Sequence, residues 1–90
     1  MSEDTIGSIE EHRNRIDEID CQLVALLNAR AEQSLAIRKL KPSAKMGLYD
    51  PRREEQIFEK VGSVNGGPLY NDDLRQIFST ILKVMKEMQE

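Results

Sequence analysis

Apolar residues in the first part of the chain recur every three or four positions, which is the spacing of one face of an α-helix. At 100° per residue, Arg30 lies near the centre of this apolar stripe. The residues within about 60° of it are Ile16, Ile19, Leu23, Leu26, Leu27, Ser34 and Ile37. The capping-box spacing of Ser8 and Glu11 predicts that helix 1 begins near residue 8 or 9. Pro42 disfavours helical geometry at the residue before it, so helix 1 is predicted over about 9–41.

A loop and a second, shorter helix are predicted next. Residues 42–49 contain proline, serine and glycine, which is typical of a loop. Asp50 followed by Pro51 is typical of a helix N-terminus, with the aspartate as the cap and the proline at the first helical position. These residues predict helix 2 over about 51–62.

A third helix follows the break at residues 65–68, which read Asn-Gly-Gly-Pro. Asn71 is predicted to cap helix 3, which should extend over about 72–88. The apolar stripe of helix 3 consists of Leu74, Ile77, Phe78, Ile81, Met85 and Met88. The pattern therefore predicts an all-α fold class, with one very long helix and two shorter ones in a single domain over residues 1–90.

Helix 1 is too long for the rest of one small chain to cover. About 33 residues at 1.5 Å per residue span about 50 Å, whereas a compact protein of 90 residues has a radius of gyration of about 12 Å. We therefore expect another chain to cover much of the stripe on helix 1.

Two cations lie on this stripe at positions where leucine would serve packing better. Arg30 is one of them, and Lys41 lies at about 20° from it. An unpaired buried cation costs several kcal/mol, and neither residue has a carboxylate three or four positions away on the same side. An anion from outside the helix is therefore expected to bind them.

Further polar residues face inward on the other helices. On helix 2, Asp50, Arg53 and Glu54 lie within about 60° of Ile57. Gln89 lies at the edge of the helix 3 stripe, and Arg13 flanks the helix 1 stripe at roughly 100°. The full candidate set is Arg13, Arg30, Lys41, Asp50, Arg53, Glu54 and Gln89. It is rich in groups that bind anions and offers no paired nucleophile and base, so we expect neither a metal nor another cofactor.

Composition restricts the partners and the compartment. The 90 residues carry a net charge of -3 with both signs interspersed, so no general basic surface is present for nucleic acid or an acidic membrane. No segment has the roughly 20 consecutive apolar residues of a transmembrane helix. Cys21 is the one cysteine, so it cannot form an intrachain disulfide. These features favour a cytoplasmic protein.

A purely structural interpretation also fits the pattern. In it, Arg30 pairs with Asp50 or Glu54, Lys41 extends to solvent at a helix end, and the protein is a plain dimeric bundle. Met85 and Met88 fit core packing, and Lys83 and Lys86 fit a solvated face. The residues alone leave this interpretation and the anion site open.

Several segments match a known family over about residues 8–89. The sequence resembles the all-helical (AroQ-type) chorismate mutases. The matching parts are Arg13-Asn14-Arg15-Ile16-Asp17-Glu18-Ile19-Asp20, Leu26-Leu27-Asn28-Ala29-Arg30, Tyr49-Asp50-Pro51-Arg52-Arg53-Glu54 and the ending Ile77-Phe78 with Gln89. The intervals between Arg13, Arg30, Lys41 and Arg53-Glu54 follow the family pattern without insertions.

The resemblance implies an intercalated helical homodimer in which each site takes Arg13 of the partner subunit. It implies that chorismate, a dianion, rearranges to prephenate by a pericyclic shift in phenylalanine and tyrosine biosynthesis. Such a reaction needs no covalent intermediate and no obligatory proton transfer. A further shikimate-pathway enzyme is an expected partner.

The family's residue roles carry over by position. Arg30, with Arg13 of the partner subunit, would bind the two carboxylates, and Lys41 and Gln89 would donate to the ether oxygen. Asp50 and Glu54 would bind the ring hydroxyl. Arg53 would support the end of the site that binds the ring hydroxyl. The apolar walls would be Ile37, Leu82 and Met85.

Three departures and two alternatives accompany the resemblance. Met85 occupies the position where the family commonly has a serine, Pro42 directly follows Lys41, and Gln89 is the penultimate residue, where fraying is expected. One alternative is an isochorismate-pyruvate lyase on the same fold, since its substrate is also an enolpyruvyl ether. The other is a non-catalytic dimerisation or regulatory module, suggested by the short chain.

Overall fold

The described part of the chain forms three α-helices. A computed structural model describes residues 2–42 and 50–88. Within these residues the helices are α1 (Glu3–Leu40), α2 (Pro51–Val64) and α3 (Asn71–Glu87), and no strand occurs. The all-α prediction is confirmed. Residues 43–49 of the loop predicted at 42–49, and the candidate Gln89, lie outside the described residues.

The start of α1 differs from the prediction. The Ser2 hydroxyl accepts a hydrogen bond from the Thr5 amide at 3.2 Å, and its carbonyl accepts from the Ile6 amide at 3.1 Å. The helix therefore begins at Glu3, and the start predicted from Ser8 is wrong. A serine cap and acidic residues in the first turn favour the earlier start. A capping-box spacing inside a continuous helical segment does not by itself mark the start of a helix.

The end of α1 lies one residue before the predicted position. Leu40 is the last helical residue, and Lys41 lies in the following turn, where its amide still donates to the Ile37 carbonyl at 3.0 Å. Pro42 comes next and cannot donate a further helical hydrogen bond. Lys41 is therefore held at the very end of the helical ladder.

The predicted start of α2 is confirmed. Asp50 is the N-cap and accepts a hydrogen bond from the Arg53 amide at 3.1 Å, with Pro51 at the first helical position. The helix continues two residues beyond the predicted end at 62, to Val64. It ends at the C-cap Asn65, which is extended and whose amide donates to the Gly62 carbonyl at 3.3 Å; in the turn that follows, Gly67 has a positive φ of 77°.

Helix α3 begins one residue earlier than predicted. Its N-cap is Tyr70, whose amide donates to an Asp73 carboxylate oxygen at 3.0 Å. Asn71, the predicted cap, accepts a hydrogen bond from the Asn65 side-chain amide at 2.8 Å. The helix ends at Glu87, one residue before the predicted end at 88. Asn71 thus fixes the α2–α3 turn rather than capping the helix.

The chain divides into two compact units, which we call the N-terminal unit (Met1–Gln33) and the C-terminal unit (Ser34–Glu90). The described part of the N-terminal unit is helical, and no residue of α1 is buried. Its exposed apolar side chains include Ile16, Ile19, Leu23, Leu26 and Leu27. In the C-terminal unit, α2 packs on α3. Met85 is the one buried residue among those described, with 8% of its surface exposed.

Across the described ranges, none of the helices combines the length and apolar character that crossing a bilayer requires.

Candidate active site

The first turn of α2 positions three candidate residues. Asp50 precedes the helix, and its carboxylate is held by the Arg53 amide at 3.1 Å. The Glu54 amide donates to the Asp50 carbonyl at 3.2 Å. Asp50 and Glu54 are half-buried, whereas Arg53 is exposed. Because a carboxylate has two oxygens that each accept hydrogen bonds, capping leaves Asp50 able to bind a further donor.

Glu54 also forms an ion pair with α3. The Lys86 ammonium lies 3.0 Å from Glu54 Oε2, with side-chain exposures of 42% and 27% respectively. Lys86 is exposed, as predicted for a solvated face, but its ion pair with Glu54 was not predicted. Lys86 follows half-buried Leu82 by four residues and so lies on nearly the same side of α3. That spacing was the available sequence signal for its contact with α2.

Arg38 holds the end of α3 against α1. Its guanidinium donates one hydrogen bond to the Lys86 carbonyl and another to the Met88 carbonyl. The last carbonyls of a helix lack intrahelical partners, so a forked donor fits this position. Arg38 was not predictable from the sequence, because its partners are backbone atoms and leave no side-chain pattern.

Met85 fills the space between α1 and α3. The Ser34 hydroxyl donates to the Met85 sulfur at 3.8 Å, and Met85 is buried. Its predicted core role is confirmed, while its predicted contact with a ligand stays a prediction. The other two predicted wall residues are less enclosed, since Leu82 is half-buried and Ile37 is 55% exposed.

The candidate cations are divided between the two units. Lys41 belongs to the C-terminal unit and is half-buried. Arg13 and Arg30 belong to the N-terminal unit, where Arg30 is half-buried. Arg13 is exposed and pairs with Glu10 of its own helix at 2.9 Å.

A separate cavity lies beside the α2–α3 turn. It has a volume of about 450 Å³ and is lined in part by Phe58, Val61, Asn71 and Arg75. The Arg75 guanidinium stacks 4.2 Å from the Phe58 ring centre and pairs with Glu55 at 2.9 Å. Among the described residues, none of the sequence-predicted site residues lines this cavity.

Comparison with solved structures identifies similar folds. The chain superposes on a chorismate mutase from Thermus thermophilus with a TM-score of 0.86 and 27% identity, covering 92% of this chain and 98% of that one. A second form of the same enzyme gives a TM-score of 0.83 and 27% identity, covering 87% of this chain and 98% of that one. These matches confirm the fold class.

Two curated proteins with chorismate mutase in their names are similar to this chain in sequence. A bifunctional chorismate mutase/prephenate dehydratase from Neisseria gonorrhoeae is 35% identical over 71 residues, covering 79% of this chain and 19% of that protein. The corresponding protein of Aquifex aeolicus is 31% identical over 86 residues, covering 91% of this chain and 24% of that protein. The chain thus spans about a fifth to a quarter of the length of these relatives.

The family model described as chorismate mutase type II matches residues 12–90, which include every candidate residue named above. That residues 1–11 form one domain with the rest stays a prediction. With its three helices, its fold match and this family match over most of its length, the chain belongs to the chorismate mutase type II family.

Proposed function

We propose that this chain is an isomerase that converts chorismate to prephenate, in the biosynthesis of phenylalanine and tyrosine. The observation that carries the proposal is the first turn of α2. There Asp50 and Glu54 are half-buried, one helical turn apart and held in place, in a chain whose family is that of the chorismate mutases. Carboxylates in this environment suit a substrate hydroxyl, which donates a hydrogen bond to them.

Cations complete the proposed site. Arg30 and Arg13 of the partner subunit bind the two substrate carboxylates, because a guanidinium donates two parallel hydrogen bonds to a carboxylate. Arg53 supports the end of the site that binds the ring hydroxyl. The half-buried state of Arg30 supports this role, since a partly desolvated cation attracts an anion more strongly than an exposed one.

Catalysis in this proposal needs no nucleophile. The site holds the substrate in the folded conformer whose reacting carbons lie close together, which removes much of the entropic barrier. Lys41 and Gln89 donate hydrogen bonds to the ether oxygen, where negative charge develops as the bond breaks. One such donor contributes roughly a hundredfold to a thousandfold in rate. The apolar neighbours Ile37, Leu82 and Met85 reduce the water around these contacts.

A homodimer is part of the proposal. The apolar stripe of the N-terminal unit is exposed, with Leu26 at 66% and Ile16 at 54%. An exposed apolar stripe of this kind is typical of a protein interface. A second copy of the chain would bury it and supply Arg13 of the partner subunit to the site. The lone, exposed Cys21 supports a reducing cytoplasm as the compartment.

The bifunctional relatives suggest a partner for the reaction. Their names join a chorismate mutase to a prephenate dehydratase. We propose that an enzyme of the same pathway consumes the prephenate that this chain forms.

The direct test is an assay of the purified chain with chorismate, in which loss of chorismate absorbance and formation of prephenate are both measured. We expect stoichiometric conversion. A parallel assay with isochorismate distinguishes the lyase alternative, which would release salicylate and pyruvate. A dimer that neither turns over chorismate nor binds a dicarboxylate analogue of the transition state would contradict the proposal and favour the non-catalytic module.

A further inference from the structure

The lysine of α3 that reaches Glu54 has no role in the site as proposed so far. Its ammonium lies 3.0 Å from Glu54 Oε2, and both side chains are partly shielded from solvent. The contact joins two different helices, α2 and α3. It therefore links the Glu54 carboxylate to a second helix rather than only balancing charge within one helix.

The backbone of Lys86 is itself held in place. Arg38 donates to the carbonyls of Lys86 and Met88, so α1 fixes the last turn of α3. Buried Met85, the neighbouring residue, contacts Ser34 of α1 at 3.8 Å. Lys86 therefore extends from an anchored backbone, so the freedom that is lost when its ammonium pairs with Glu54 is that of the side chain alone.

Glu54 needs such a partner if it is to bind a neutral hydroxyl of a dianionic substrate. An uncompensated carboxylate would repel the substrate's own carboxylates. Pairing of Oε2 with an ammonium reduces this repulsion and leaves Oε1 as an acceptor for the hydroxyl. We propose that Lys86 is a positioning residue that orients and neutralises Glu54 for substrate binding. This inference rests on the proposed function and adds a residue to it.

The role predicts a particular kinetic effect. The ring hydroxyl does not react, so its contact with Glu54 has similar strength in the ground state and in the transition state. Loss of such uniform binding raises KM and leaves kcat nearly unchanged. For a partly exposed ion pair we expect KM to rise about two- to fivefold.

The test compares Lys86→Met with Lys86→Arg and with the control Lys83→Met. Lys83 is an exposed lysine one turn earlier on the same helix. We expect Lys86→Met to raise KM with kcat within about twofold of the parent. The arginine variant should restore most of the affinity, and the control should match the parent.

A double-mutant cycle with Glu54→Gln then separates positioning from general stability. If Lys86 acts through Glu54, adding Lys86→Met to Glu54→Gln should change KM little further. An unchanged KM in Lys86→Met, or fully additive effects in the double variant, would overturn the inference while leaving the proposed function intact. A parent chain without chorismate turnover would overturn both.

Discussion

The guanidinium of Arg38 donates a hydrogen bond to the backbone carbonyl of Lys86, so the end of the long helix α1 holds the last turn of α3. A second hydrogen bond from the same side chain reaches the Met88 carbonyl. This fork connects the first and last helices within the C-terminal unit. It also fixes the backbone from which Lys86 reaches Glu54.

Removal of this fork should destabilise the protein. We expect Arg38→Ala to lower the free energy of unfolding by about 1–3 kcal/mol, because a charged donor is lost and two helix-end carbonyls lose their partner. Arg38→Lys should lie between the parent and the alanine variant, since an ammonium lacks the planar fork. Urea unfolding at one fixed protein concentration measures the difference. Arg52→Ala, on an exposed residue of α2, is the control, and equal midpoints for Arg38→Ala and the parent would contradict the assignment.

Asp50 is expected to act both as a helix cap and as a ligand. Asp50→Ala should lower the free energy of unfolding by about 1 kcal/mol, because the Arg53 amide loses its acceptor. Asp50→Asn should retain nearly all of the stability, since asparagine caps helices as well as aspartate. The asparagine variant therefore isolates the effect of charge on KM. A large loss of stability in Asp50→Asn would show that the cap depends on charge.

Met85 should tolerate a change of shape better than a loss of volume. Met85→Ser removes buried apolar volume from the most enclosed position described, so we expect a loss of about 2–4 kcal/mol in the free energy of unfolding. Met85→Leu should cost less than about 1.5 kcal/mol. Thermal and urea unfolding of both variants check this order. A serine variant as stable as the parent would show that this position faces a ligand cavity rather than the core.

Stability should depend on protein concentration, because the proposed dimer buries the stripe of the N-terminal unit. Leu26→Asp should lower Tm and shift the chain toward monomer in light scattering. Cys21→Asp adds the same charge about 180° from Arg30 on the helix and should have a smaller effect. A Tm that stays constant across a wide dilution series, in the parent, would contradict the dimer.

The parts of the fold that depend on residues adjacent in the sequence were predictable from it. Asp50 and Pro51 gave the start of α2 correctly because capping and the fixed φ of proline are local effects. The predicted start of α1 was wrong because the spacing of Ser8 and Glu11 also occurs within a continuous helix. Whether Ser2 or Ser8 caps the helix depends on which start leaves fewer backbone groups unpaired, and the pattern does not contain that information.

The contacts between helices were less accessible from sequence. The pattern of α2 predicted that Asp50 and Glu54 face inward. It did not predict that Glu54 pairs with Lys86, because that contact depends on how two helices pack. Arg38 binds backbone carbonyls, so no complementary side chain marks its role in the sequence. The roles of all the candidate residues in binding and catalysis, Asp50 and Glu54 included, stay predictions.

Lys41 is proposed to stabilise the charge that develops on the ether oxygen of chorismate, and kcat of Lys41→Met tests this role most directly. We predict a fall in kcat of roughly a hundredfold or more, with the fold retained. Lys60→Met, on an exposed face of α2, should match the parent. A folded Lys41→Met protein that rearranges chorismate as fast as the parent would contradict the account.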